Sequence, residues 1–325
     1  MKLLPTVFVL LAAAVAGQGP KAATNPKAST PLRTAWGAPD LQGVWDFATL
    51  TPMERPSGLA GKEALTEEEA AEFEKRTLVE RDEDRRDRRP GVGGYNQFWW
   101  DYGTKVIGTR RTSLVVDPPD GKVPPMTPAG QKRAAARLAA FTRPNADGPE
   151  DRTLAERCIL GFNAGPPMAP SAYNNNVQIF QTPQHVVLLN EMVNDSRVVP
   201  LDGRAHLPPD IRQWRGDSRG RWEGNTLVVD TANFRDQTNF RGASRDLRLT
   251  ERFTRVDADT LLYEFTIDDP ASWTKAWTAA VPMQKSAGPI FEYACHEGNY
   301  GMFNILAGSR AREKAAEEAA KKTVQ

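Results

Sequence analysis

Apolar and polar residues alternate with a period of two through the second half of the chain, and short turn-forming stretches break the alternation at regular intervals. Val177-Gln178-Ile179-Phe180 and His185-Val186-Val187-Leu188-Leu189 flank Thr182-Pro183-Gln184, the spacing of a hairpin. Arg197-Val198-Val199-Pro200-Leu201 follows, then a proline-containing loop over 202–213. Arg221-Trp222-Glu223 and Thr226-Leu227-Val228-Val229-Asp230 are joined by Gly224-Asn225, a pair suited to a tight primed turn. The runs 247–256 and 260–267 surround Asp257-Ala258-Asp259, and 277–283 and 290–294 supply two more strands. Successive hairpins without helical crossovers predict an antiparallel meander that curls into a barrel or sandwich.

The first half reads differently. Asp40-Leu41-Gln42-Gly43-Val44-Trp45-Asp46-Phe47 is a strand-like segment whose Gly-x-Trp also opens lipocalin-type barrels. Thr66 and Glu69 form a capping box ahead of a helix over 66–82. Leu114-Val115-Val116 is a short strand ended by Asp117-Pro118-Pro119-Asp120-Gly121, and Thr127-Pro128 starts a second helix that runs to about residue 141. A third, solvated and rich in Ala, Glu and Lys, closes the chain after residue 300. The prediction is therefore a mainly β fold with helical additions, an antiparallel meander forming a lipocalin-like barrel or sandwich. It carries an α-helical N-terminal section at about 60–145 and a C-terminal helix.

Residues 1–16 carry one Lys, an apolar run and Ala14-Val15-Ala16, the pattern of a cleavable signal peptide too short to span a bilayer. Residues 17–34 have no hydrophobic period and read as a flexible leader, leaving 35–325 as a single β-rich domain. The expected location is periplasmic or secreted. In that oxidising setting the two cysteines, Cys158 and Cys295, are expected to pair as a disulfide.

The 42 basic and 41 acidic residues nearly cancel, so no global field selects nucleic acid or an anionic membrane surface, and recognition must be local. The expected partner is a small molecule. No membrane insertion is predicted, and the oligomeric state is not legible. No P-loop, dinucleotide fingerprint, zinc-binding His-Glu-x-x-His, Gly-x-Ser-x-Gly elbow or Cys-x-x-Cys pair occurs, and no metal or cofactor is predicted.

Acid–base chemistry then falls to the histidines, of which His206 and His296 lie in loops while His185 begins a strand. Glu191 and Asp195, between two predicted strands, are the carboxylates able to orient them. Ligand contacts are expected from Arg110 and Arg111, Asn174 and Asn176, Arg212, and the pair Arg221 and Trp222. Aromatic stacking falls to Trp99, Trp100 and Tyr300, with the patch at 95–102 readable either as a ligand platform or as a core plug.

The segments Gly43-Val44-Trp45, Arg111-Thr112-Ser113-Leu114-Val115-Val116-Asp117-Pro118-Pro119-Asp120-Gly121, Tyr173-Asn174-Asn175-Asn176, Gly216-Asp217-Ser218-Arg219-Gly220-Arg221-Trp222-Glu223-Gly224 and Tyr293-Ala294-Cys295-His296-Glu297-Gly298-Asn299-Tyr300 resemble a family of secreted, functionally uncharacterised proteins recurrent in environmental bacterial genomes. That resemblance implies one fold across the mature chain and carries no activity. Two functions remain open: a secreted lyase, isomerase or hydrolase acting on a small carbohydrate-like or aromatic molecule, and a lipocalin-like binding protein without turnover.

Overall fold

The computed structural model describes residues 32–85, 96–142, 145–237, 240–297 and 299–323. The predicted signal peptide, residues 17–31 of the predicted leader and Tyr95 of the aromatic patch lie outside them.

Ten strands form one antiparallel sheet system: β1 (Gly43–Asp46), β2 (Val115–Asp117), β3 (Asn176–Gln181), β4 (His185–Asn190), β5 (Asp195–Pro200), β6 (Asp217–Glu223), β7 (Thr226–Ala232), β8 (Arg248–Arg255), β9 (Thr260–Asp268) and β10 (Trp277–Lys285). Their order is β5-β4-β3-β1-β10-β9-β8-β7-β6, with β2 paired to β10 off this path. Two meanders, β3 to β5 and β6 to β10, are thus stitched together by β1, whose Trp45 faces Val177 on one side and Lys285 on the other. The nine strands of the path curl into a nearly closed barrel.

The seam lies between β5 and β6. Gly220 makes the approach possible, because a Cβ there would stand 2.8 Å from Val199 Cγ1 and 2.6 Å from Leu201 Cδ2. The tight turn between β6 and β7 depends on Gly224, whose φ of 60° supplies the left-handed conformation at the first turn position.

Inward positions follow the predicted period of two. In β9, Leu261, Tyr263, Phe265 and Ile267 are fully buried, and Phe253 and Leu249 of β8 meet them. Each such side chain contributes roughly 1.5–3 kcal/mol of burial. The barrel interior is consequently filled by side chains, with Trp45, Trp277 and Phe265 among the largest fully buried ones. Arg197 of β5 also points inward. Its guanidinium donates to both oxygens of Glu251 at 2.5 and 2.9 Å, and Tyr263 Oη donates to Glu251 at 2.8 Å while accepting from Met168 N–H at 3.0 Å. No charge in this trio is left without a partner, the condition under which burial of an ion pair is tolerated.

Three helices are present among the described residues: α1 (Glu67–Arg81), α2 (Pro128–Thr142) and α3 (Tyr300–Thr323). The predicted capping box of α1 is made in both directions, Glu69 N–H to Thr66 Oγ1 at 3.2 Å and Thr66 N–H to Glu69 Oε2 at 2.9 Å. Thr127 Oγ1 caps α2 by accepting from Gly130 N–H at 3.0 Å. None of the helices is long and apolar enough to cross a membrane.

One predicted element is absent. Residues 290–294 are irregular instead of a strand. Both edges of β10 are already occupied, by β9 on one side and by β1 and β2 on the other, so no ladder remains for a following strand to join. Phe291 and Ala294 are exposed, and the segment is a strap laid over one end of the barrel.

Candidate active-site cleft

The strap is held at three points. Glu191, buried just after β4, accepts from Phe291 N–H at 3.1 Å through one carboxylate oxygen and from Asn176 Nδ2 at 2.9 Å through the other. Cys295 is joined to Cys158 with a Cα–Cα distance of 5.6 Å, forming the predicted disulfide. Asn299 Nδ2 then donates to Glu156 O at 3.1 Å, while its Oδ1 accepts from Met302 N–H at 3.1 Å and caps α3.

Between the strap and the turn joining β4 to β5 lies a cleft of about 350 Å³, lined on one side by Val193, Asn194 and Asp195 and on the other by Tyr293 and His296, with Arg215 beside them. The turn is conformationally costly. Val193 and Asn194 take φ values of 54° and 50°, and Cys158 under the cleft takes 55°. For Asn this left-handed region is mild, but for β-branched Val193 it is an outlier of a kind that costs about 1–3 kcal/mol and persists only where surrounding contacts impose it.

Asp195 opens β5 on its inward row, one inward position before Arg197, so its carboxylate sits at the barrel mouth and is almost fully buried. It is ion-paired with Arg215, whose Nη1 also donates to Ser196 O at 2.8 Å. Burial raises the Asp195 carboxyl from 3.8 to about 6, against the opposing pull of Arg215 and Arg197. His296 is exposed on the facing strap. The cleft therefore unites a carboxyl raised to about 6 by burial, a guanidinium that can only donate hydrogen bonds, and an exposed imidazole; the carboxyl and the imidazole are the groups able to exchange protons with a bound molecule.

The predicted site residues are thus partly gathered. Asp195 and His296 line the cleft, and Glu191 holds its strap. His206 is not among the lining residues; its Nδ1 is 2.9 Å from Asp217 Oδ2, and Asp217 also accepts from Leu207 N–H at 3.0 Å and Arg219 at 2.7 Å. The carboxylate orienting His206 is therefore Asp217, and neither Glu191 nor Asp195.

The ligand-binding candidates are dispersed. Arg110 donates to Leu65 O at 3.3 Å, and Arg111 pairs with Glu63 at 2.5 Å. Asn174 O accepts from Asn163, and Asn176 serves Glu191. Arg212 bonds the carbonyls of Phe234 and Arg245, Arg221 pairs with Glu223 and Asp230 on the outer face, and Trp222 packs partly buried against the core. Trp100 stacks on Tyr102 at 5.4 Å, whereas Trp99 and Tyr300 are exposed.

Arg215 and Asp217 are the groups that sequence reading missed. Both sit in Gln213-Trp214-Arg215-Gly216-Asp217, where no spacing distinguishes them from the chain's many other charged residues. No group of three or more His, Cys, Asp or Glu among the described residues is placed to hold a metal ion. Comparison with family models, with curated proteins and with solved structures finds no match to this chain.

Proposed function

We propose that the chain is an exported enzyme, periplasmic or secreted, that performs acid–base chemistry on a small hydroxyl-rich or aromatic molecule in the cleft between the strap and the turn joining β4 to β5. The observation that carries this reading is the convergence of Asp195, Arg215 and His296 on one cavity. Asp195 is the internal proton donor, protonated in an appreciable fraction near pH 6. Arg215 holds that carboxyl and offers its remaining donors to a substrate oxygen. His296, on the opposite wall, exchanges the second proton with solvent.

Export is supported by the signal-peptide pattern at the N-terminus and by the disulfide, a bond that persists in oxidising compartments. The family resemblance of its loops points to the same compartment. The filled barrel interior argues against a lipocalin-type ligand inside the barrel, so a purely binding role would have to use this same external cleft.

The test is turnover of a panel of uronates, polyols, lactones and phenolic glycosides by the mature protein, repeated with Asp195→Asn and His296→Ala. A substrate whose kcat falls at least 100-fold in both variants, with folding unchanged, supports the reading. Turnover that survives both substitutions refutes it.

A further inference from the structure

A second concavity, of about 690 Å³, lies between α2, the 150–157 segment and the loop residues Asp236 and 244–246, and shares no lining residue with the cleft at the strap. Its frame is rigid. α2 approaches so closely that a Cβ on Gly130 would stand 2.4 Å from Ser272 O, and buried Asp269 accepts from Ser244 N–H at 2.6 Å and Ser272 Oγ at 2.6 Å.

Five guanidinium groups line this groove, and three are already committed. Arg133 donates to Ala271 O and Ser272 Oγ, both at 2.7 Å, Arg152 pairs with Glu156 at 2.5 Å, and Arg245 lies 3.7 Å from Asp236. Two have capacity left. Arg137 Nη2 donates to Asp236 O at 2.8 Å and Ala243 O at 2.9 Å, but its Nη1 is buried without a hydrogen-bond partner. The half-buried side chain of Arg157 makes no hydrogen bond or ion pair with a described residue. Burial and the neighbouring charge of Arg133 both disfavour the Arg137 cation and lower its pKa. A buried donor left unmet destabilises the fold, and an arriving acceptor recovers that cost. The five guanidinium groups outnumber the four carboxylates on the same lining, those of Glu150, Asp151, Asp236 and Asp246, and Ala136, Ala140, Leu154 and Ala271 supply the apolar part of the wall.

We propose that this groove binds a small organic carboxylate, its carboxylate accepting from Arg137 Nη1 and from Arg157 while its apolar body lies on the alanines and Leu154. The pairing suits a planar anion, because guanidinium forks match carboxylate geometry. The site is independent of the cleft at the strap.

The experiment is calorimetric titration and thermal-shift measurement of the mature protein with hexanoate, using 1-hexanol and inorganic phosphate as comparators. Saturable binding of hexanoate at one site is expected, with hexanol and phosphate each at least ten-fold weaker. Arg157→Gln should weaken hexanoate at least ten-fold and leave the ligand-free melting temperature unchanged, since no intramolecular bond is lost; Arg137→Met gives the second reading where it folds. Absence of saturation, equal binding of hexanol or phosphate, or unchanged affinity in Arg157→Gln overturns the proposal.

Discussion

Asp195→Asn isolates the titration on which the proposed chemistry depends. The Asp195 carboxyl moves from 3.8 in the unfolded chain to about 6 in the fold because it is buried. Between those values the folded protein holds a proton that the unfolded chain has released, so stability contributed by this group is present at low pH and declines as pH rises, levelling off above about 6. The gap corresponds to about 3 kcal/mol. Asparagine is uncharged at every pH and close in shape to the protonated acid, so the variant escapes this decline. Arg215 and Arg197 act on Asp195 from the β6 side and from β5, and Glu292, His296 and Glu297 line the same cleft. Taking the difference between the two proteins cancels the independent titration of those groups. Urea unfolding at pH 4 and pH 7, with the disulfide intact, is the assay. Asp195→Asn should gain about 2 kcal/mol relative to the parent between the two pH values, the rest of the gap lying below pH 4 where the unfolded carboxyl also takes up its proton. A difference that does not change with pH, or changes in the opposite direction, refutes the assignment of a protonated, buried Asp195.

Three further outcomes follow from the packing. Gly220→Val places side-chain atoms where Val199 and Leu201 already stand and should cost about 1–3 kcal/mol in urea unfolding, with parental stability counting against a closed seam. Glu251→Gln leaves Arg197 charged inside the barrel and should cost about 3–5 kcal/mol in the same assay; a loss under about 1 kcal/mol contradicts the buried pair. Replacing Cys158 and Cys295 together by Ala opens a crosslink across 137 residues and should cost about 4–5 kcal/mol in the chain-entropy model, so an unchanged melting temperature rules out that role.

The strands and helices were legible because each carries its own period or cap. β9 alternates without interruption, and Thr66 with Glu69 announced the start of α1. The partner of β1 was not legible, because its insertion between β3 and β10 depends on contacts far apart in the chain. The run 290–294 has the composition of a strand, yet strand formation needs a free edge, and whether β10 has one is a property of the closed sheet. The same limit governed the site. Asp195 and His296 were identifiable as loop and strand-end chemistry, and the cysteine count indicated the bond beneath them. That Arg215 pairs with Asp195, and that His206 is oriented by Asp217, arises from the way the 202–216 loop folds back on β6.

The most direct test of the acid–base cleft is to map where small hydroxylated ligands touch the mature protein, by following backbone amide signals in nuclear magnetic resonance during titration with the uronate, polyol and phenolic glycoside panel. Perturbations should concentrate at Val193 to Asp195, Arg215 and Tyr293 to Glu297, and should weaken in Asp195→Asn. Ligand-induced changes confined to other faces of the barrel, leaving those residues unmoved, would contradict the account.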